Sequence, residues 1–161
     1  MKQFKINDEL ISKIKKLIED NNRDKLLSIL ADIHYADLAE IFELLETTEV
    51  IFLVKIFDKQ KIADALAEID EDLREIILEK LSAKEIAEKI VELDTDDATD
   101  VISELTEERQ ERVFSQIKDA ELTDDIKELL KYDEDTAGGL MAKELVSVNE
   151  NLSISKCLDE I

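Results

Sequence analysis

The chain has 161 residues, of which 44% are hydrophobic, enough to bury one ordinary core with, at most, part of a second domain. Its 42 acidic and 21 basic residues give a net charge of -21, which disfavours nucleic acid and anionic membrane surfaces and favours cations or basic surfaces as partners. A single cysteine and a single histidine exclude a disulfide and a zinc finger within one chain.

Almost nothing in the sequence interrupts a helix, because proline is absent and glycine occurs only twice. The aromatic fraction is 4%, which is typical of helices that pack through aliphatic side chains. No apolar run approaches the roughly 20 residues that cross a bilayer, and the start, MKQFKINDEL, lacks the apolar core of a signal peptide. We therefore expect an all-α chain that is itself soluble and intracellular.

Two amphipathic segments come first in the chain. Isoleucine and leucine at helical spacing predict one helix near residues 6–18 and a second near residues 26–30, separated by the polar run 20–22. We expect these two helices to cap one end of the array that follows.

A large apolar residue then recurs every twelve positions. These residues are Leu45, Phe57, Ile69, Leu81, Leu93, Leu105, Ile117 and Leu129. Several are followed directly by a residue type that caps the free N–H groups at a helix start, namely Asp58, Asp70, Ser82, Asp94 and Thr106. Each unit is therefore predicted to be one short helix with its turn, and Ser82 with Glu85 has the capping-box pattern.

Two units make a hairpin of 24 residues, since the segments that begin at residues 38, 62 and 86 align at that period. A small residue occupies the same place in each segment, as Ala39, Ala63 and Ala87, which lets neighbouring helices approach closely. One hairpin buries too little apolar surface to be stable alone. The predicted fold is thus an α-solenoid, a superhelical array of short helices with a repeat of roughly 12 residues.

The helical pattern ends near residue 130, before the two glycines Gly138 and Gly139. They predict a turn or linker, in which we expect them to supply a backbone conformation closed to other residues and, secondarily, hinge flexibility. Beyond them, Leu145, Val146 and Val148 predict a short strand, and a last helical segment over residues 154–161 stops unfinished. We therefore expect a fragment of a longer protein.

Three segments resemble the N-terminal region of MgtE magnesium transporters: IHYADLAEIFELL at 33–45, DDATDVISEL at 96–105 and YDEDTAGGLMAKELVSV at 132–148. The third is the most specific, because in that family an acidic stretch followed by Ala-Gly-x-Leu-Met joins the helical domain to the first CBS motif. The resemblance implies a helical superhelix domain at 1–131, a linker at 132–144 and the truncated beginning of the first CBS domain at 145–161.

The resemblance further implies a homodimeric channel of the cell membrane, whose helical domain lies on the cytoplasmic side. In that family Mg2+ bound between the helical domain and the CBS pair closes the pore when intracellular Mg2+ is plentiful. The partners of this chain would be the CBS and transmembrane domains of the same polypeptide, and not nucleic acid. We expect the fragment itself neither to insert into the membrane nor to carry an enzyme active site.

Two other functions compete with this one. An α-solenoid interaction scaffold related to flagellar motor switch proteins is the main alternative, but such a scaffold does not require the AGGLM linker followed by a CBS-like strand and helix. A carboxylate-metal enzyme is a distant third, because no residue pairs a base with a nucleophile.

The candidate Mg2+ ligands are aspartates, since Mg2+ prefers oxygen and is usually held by one or two carboxylates with several waters. Asp96 and Asp100 are four residues apart and share one side of a helix, with Asp97 beside them. Family alignment implies that Asp64 joins them. The alternative is that acids at a helix start face the positive end of the dipole; we accept it for Asp94, weigh both readings equally for Asp97, and favour function for Asp100, which lies past the first turn.

These acids are expected to face acids of the CBS domain, so that the two surfaces repel each other without metal. Two unit charges about 6 Å apart at an effective dielectric near 20 repel by roughly 3 kcal/mol. A two-state switch needs about 5.5 kcal/mol of differential binding, which a few bridging Mg2+ ions can supply together. His34 and Cys157 are expected to be structural, the first opening a helix and the second a small buried hydrophobe.

Overall fold

The computed structural model describes residues 5–133, 136–143 and 154–156. Every regular element within those ranges is helical, and residues 154–156 are helical as well. The helices are α1 Asp8–Glu19, α2 Arg23–Ile29, α3 Tyr35–Glu43, α4 Thr47–Ile56, α5 Lys59–Glu68, α6 Glu71–Lys80, α7 Ala83–Ile90, α8 Thr95–Ser103, α9 Glu107–Phe114 and α10 Ala120–Leu129. The strand predicted near residue 146 and the structural role of Cys157 fall outside the described residues.

The helix starts repeat every twelve residues, as predicted. Successive N-cap positions are Asn22, His34, Glu46, Asp58, Asp70, Ser82, Asp94 and Thr106. The period slips once, because α10 is capped by Asp119.

Side chains make many of these caps. The capping box between Ser82 and Glu85 is confirmed, with the Glu85 N–H donating to Ser82 Oγ at 3.2 Å and the Ser82 N–H donating to Glu85 Oε2 at 2.8 Å. The expectation for His34 is confirmed too, since its Nδ1 accepts from the Ala36 N–H at 3.3 Å. Asp94 and Thr106 occupy the N-cap position without a side-chain capping bond.

The core is built by helices that pack against the helix two units further along the chain. Helix α3 contacts α5, α5 contacts α7, and α7 contacts α9, while α4 contacts α6 and α8 contacts α10. Ala39, Ala63 and Ala87 are all buried, and the helices that carry them, α3, α5 and α7, contact one another in that order; the close approach predicted at the alanines stays a prediction. Helix α1 packs on α2 and α4 at the beginning of the array.

Long polar side chains satisfy the carbonyl ends of other helices. Arg109 Nη2 on α9 donates to the carbonyl oxygens of Leu78 at 2.8 Å and Leu81 at 3.1 Å, at the end of α6. Gln60 Nε2 on α5 donates to the carbonyl oxygen of Glu92, after α7, at 2.7 Å. Since the last carbonyls of a helix have no partner within it, these bonds let the helices remain short.

The glycine pair does not adopt the conformation that we expected. Neither Gly138 nor Gly139 has a positive φ, so the expectation of a backbone closed to other residues is wrong. The requirement at Gly138 is steric instead, because a Cβ there would lie 2.6 Å from the ring of Tyr132. None of the helices in the described residues has both the length and the apolarity of a membrane span.

Candidate functional site

Helix α8 carries three of the four aspartates that the sequence singled out. Asp96 and Asp97 lie in its first turn, Asp100 lies one turn later, and the N-cap Asp94 keeps its carboxylate free of a capping bond. The opposite side of α8 is buried and holds the acids outward. The residues of that buried side are Thr95, Ala98, Thr99, Val101 and Ile102.

The surroundings of Asp97 oppose its negative charge. Partial burial raises the pKa of Asp97 above its ordinary value, and neighbouring negative charges raise it further. Those neighbours are Asp96, Asp100 and Asp94 and, on α5, Glu68. A raised carboxyl pKa means that the fold holds the charged form at an energetic disadvantage, which a nearby cation would remove.

Asp100 is in a similar state, with one compensating charge. Burial raises the pKa of Asp100, Arg74 on α6 lowers it, and the charges of Asp96 and Glu71 raise it again. Arg74 is already engaged, because its Nη2 lies 2.6 Å from Oε1 of Glu104. Its guanidinium therefore offsets only part of the negative charge around Asp100.

The surface around Asp96, Asp97 and Asp100 will be called the α8 acidic surface. Within the described residues, neither these aspartates nor Asp64 forms an ion pair with lysine or arginine. No three His, Cys, Asp or Glu side chains converge there in a way that could hold a metal ion, as far as the described part of the chain goes. The α8 acidic surface therefore carries negative charge that Arg74 offsets only in part, and among the described residues it contains no cluster arranged to hold a metal ion.

Asp64 has a different setting from the α8 aspartates. It lies on α5, which packs against α8, and its Oδ1 accepts a hydrogen bond from Gln60 Nε2 at 3.0 Å. The α5 carboxyl whose charge acts on Asp97 is Glu68, one turn further along that helix. The structure thus brings Asp96, Asp97 and Asp100 together and adds Glu68, while Asp64 is tied to Gln60.

Sequence reasoning missed Glu68 and Glu71. Glu68 carried a usable signal, because it follows Asp64 by four residues and so shares its side of the helix. Glu71 carried none, since its effect on Asp100 depends on how α6 is placed beside α8.

A cavity of about 540 Å³ continues the α8 acidic surface towards the linker. Asp100 and Ser103 line it from α8, and Tyr132, Asp133 and Thr136 line it from the segment after α10. The carboxylates of Asp100 and Asp133 therefore border the same space.

One family model and two solved structures resemble this chain. A family model described as the MgtE intracellular N domain matches residues 33–135. The crystal structure of the soluble part of a magnesium transporter has a TM-score of 0.83 and 21% identity, covering 95% of this chain and 60% of that one. The crystal structure of the cytosolic domain of the Mg2+ channel MgtE in complex with ATP has a TM-score of 0.78 and 24% identity, covering 92% and 61%.

At these identities the two crystal structures show a shared fold alone, and this chain spans 60% and 61% of their lengths. No curated protein matches the sequence.

Proposed function

This chain belongs to the MgtE intracellular N domain family, and on that premise we propose that it is the Mg2+-sensing regulatory domain of a magnesium transporter. Membership puts the chain among transporter domains and not among enzymes. In the proposal the domain lies on the cytoplasmic side of the membrane and controls transport by Mg2+-dependent association with the CBS domains of the same polypeptide, within a homodimer.

The domain boundaries are part of the proposal. Residues 1–131 form the superhelical sensing domain, residues 132–144 the linker and residues 145–161 the beginning of the first CBS domain. The family assignment favours this function over a flagellar-type scaffold.

The proposal rests on one observation, that the surroundings of the α8 acidic surface disfavour the negative charge of its aspartates. Burial and like charges raise the pKa of both Asp97 and Asp100, and no described lysine or arginine forms an ion pair with either. Asp97 and Asp100 remain solvent-exposed on α8 and are therefore accessible to a cation, whereas a surface that serves solubility alone does not require like charges so close together.

The donor chemistry fits Mg2+. Carboxylate oxygens are the ligands that this cation prefers, and it commonly keeps several waters, so one or two carboxylates from this chain suffice for each ion. Bound Mg2+ would supply positive charge between two acidic surfaces. Asp96, Asp97 and Asp100, with Glu68 beside them, are the residues proposed to face it, and Asp64 is proposed to contribute at the edge.

The carboxylates of this chain account for both states of the proposed switch. Without a cation, the α8 acidic surface repels any acidic surface that approaches it. Pairs of charges about 6 Å apart contribute roughly 3 kcal/mol each at an effective dielectric of 20, so a few such pairs keep the modules separated. With the charge neutralised, the same residues permit close association.

The test uses a protein extended through the CBS pair. Small-angle scattering is measured during a Mg2+ titration at constant ionic strength for the parent and for Asp96→Asn with Asp100→Asn. The double substitution should abolish the compaction or raise the Mg2+ needed for it by about tenfold, equivalent to 1.4 kcal/mol. Compaction at the parent's Mg2+ concentration would refute the assignment.

A matched control removes two acids at the same spacing on another helix. Glu107→Gln with Glu111→Gln on α9 should compact like the parent, because α9 does not carry the α8 acidic surface. Asp64→Asn and Glu68→Gln, made separately, rank the two α5 carboxyls, and we expect Glu68→Gln to have the larger effect.

A further inference from the structure

Lys143 joins the segment after α10 to two helices at once. Its Nζ lies 2.7 Å from Asp125 Oδ1 and 2.7 Å from Glu128 Oε2, both on α10. Its backbone N–H donates to Thr95 Oγ1, at the start of α8, at 2.9 Å. The side chain of Lys143 is only 20% exposed, so it packs against the helices and does not extend into solvent.

The residues before Lys143 follow the same surface. The Gly139 N–H donates to Thr136 Oγ1 at 3.2 Å, Gly139 is buried, and Gly138 lies against the ring of Tyr132. A side chain at Gly138 would collide with that ring, so the contact depends on glycine. Thr136 and Gly139 line the same cavity as Asp100 of α8 and Leu129 of α10, so residues 136–143 meet the helical array at these two positions and at Lys143.

We propose that the groove between α8 and α10 is a docking site for the chain's own segment 136–143, with Lys143 as the positioning residue that anchors it. The docking rests on the contacts above, independently of any metal. Its use rests on the proposed function, because the backbone bond to Thr95 ties Lys143 to the start of α8, the helix that carries the α8 acidic surface.

The charges favour this occupant. Two carboxylates of α10 face the groove, those of Asp125 and Glu128. Lys143, which lies in segment 136–143, forms an ion pair with each of them. Hydrogen bonds to Asp125 and Glu128 raise the pKa of Lys143 well above its ordinary range, so the ammonium stays charged throughout the physiological range.

The test is amide hydrogen exchange on the intact 161-residue chain without added divalent metal. Lys143→Met keeps the aliphatic stem and removes the charge, and it should speed exchange at the Gly139 and Lys143 amides about tenfold. Lys143→Arg keeps the charge and should stay close to the parent. Lys131→Met is the matched control, since Lys131 follows α10 but forms no ion pair within the described residues.

Two further measurements separate an ionic anchor from general loosening. Raising the salt from about 0.05 to about 0.5 M should speed exchange at these amides in the parent but not in Lys143→Met. Adding Asp125→Asn and Glu128→Gln to Lys143→Met should not raise the exchange rate of these amides any further, because the ion pairs are already lost. Exchange in the parent at the unprotected rate would overturn the docking, and unchanged exchange in Lys143→Met would overturn the role of Lys143 as its anchor.

These outcomes are independent of the proposed function. Loss of Mg2+-dependent compaction with intact docking would remove the sensor role alone, and the reverse result would remove the anchor alone.

Discussion

Asp97 and Asp100 show how single residues can hold unfavourable charge in a folded domain. Desolvation raises the pKa of both carboxyls. The charge of Asp100 also raises the pKa of Asp97, while the charges of Asp96 and Glu71 raise that of Asp100, and Arg74, which lowers it, is shared with Glu104. Such residues are expected where function needs a charge that stability does not. Their neutralisation should therefore stabilise the domain.

The pH dependence follows from the direction of these shifts. A folded-state pKa raised above the unfolded value means that the folded state binds protons more readily. The penalty is then fully present above the folded pKa and is relieved as pH falls towards the unfolded value, near 4. We expect Asp97→Asn to raise the free energy of unfolding at pH 7 by about 0.5 kcal/mol, a figure reduced for solvent screening. The gain should shrink at about pH 4.

Urea unfolding of parent and variant at both pH values checks this prediction. The difference between the two proteins is the informative quantity, because the pKa of Glu85 is lowered by its bonds to Ser82 and contributes the opposite pH dependence to both. Glu107→Gln serves as a control with no expected gain. A destabilised Asp97→Asn at pH 7 would contradict the account of this surface.

At the scale of the helix, start positions differ in how they are capped although they share one period. Ser82 and Glu85 exchange hydrogen bonds at the start of α7, whereas Thr106 begins α9 without a side-chain bond. The twelve-residue pattern alone does not distinguish them.

This contrast predicts different costs for the same kind of substitution. Ser82→Ala should lower the free energy of unfolding by about 1 kcal/mol, because an N–H at the start of α7 loses its acceptor. Thr106→Ala should change it by less than about 0.5 kcal/mol. Chemical unfolding measures both, and equal losses would show that the capping bonds do not set the stability of these helix starts.

The sequence predicted the helix starts well because capping depends on residues next to one another in the chain. The start of α10 shows the limit of this prediction. Ile117 continues the apolar period, but the next residue, Lys118, has no side-chain acceptor for a cap, and the N-cap is Asp119 instead. The role of Asp64 stays a prediction that the family resemblance implies. Which α5 carboxyl acts on Asp97 depends on the contact between α5 and α8, which no sequence period encodes, and in the structure that carboxyl is Glu68.

The linker was the least predictable part of the described chain. Two glycines indicated a turn, but their function depends on the ring of Tyr132 for Gly138 and on burial for Gly139. Contacts between an irregular segment and a helical surface leave no periodic trace in the sequence. For the same reason, the sequence did not predict the ion pairs of Lys143 with Asp125 and Glu128, which only the structure shows.

Across the whole molecule, α5 is the most connected helix near the centre. It contacts α3, α7 and α8, and Ala63 on its inner face is 0% exposed. Because each hairpin is stabilised by its neighbours, a defect in α5 is transmitted to both sides of the array.

Overpacking at Ala63 tests this dependence. Ala63→Leu should lower the free energy of unfolding by about 1–3 kcal/mol, because the extra methylenes force apart helices that approach closely. Ala36→Leu, at an exposed position of α3, should cost much less. Thermal unfolding followed by circular dichroism compares the two. Similar melting temperatures would mean that α3, α5 and α7 do not need a small residue where they stack.

The alternation of contacts also limits how the domain can change in length. Helices of one layer meet every second unit, as α3, α5, α7 and α9 do, and each unit begins twelve residues after the last. Inserting or deleting one unit would change which downstream helices stand two units after α3, α5 and α7, and so would break this series of contacts. Only the gain or loss of two units together keeps every downstream helix in contact with the same set of helices. Relatives of different size should therefore differ in this region by multiples of 24 residues.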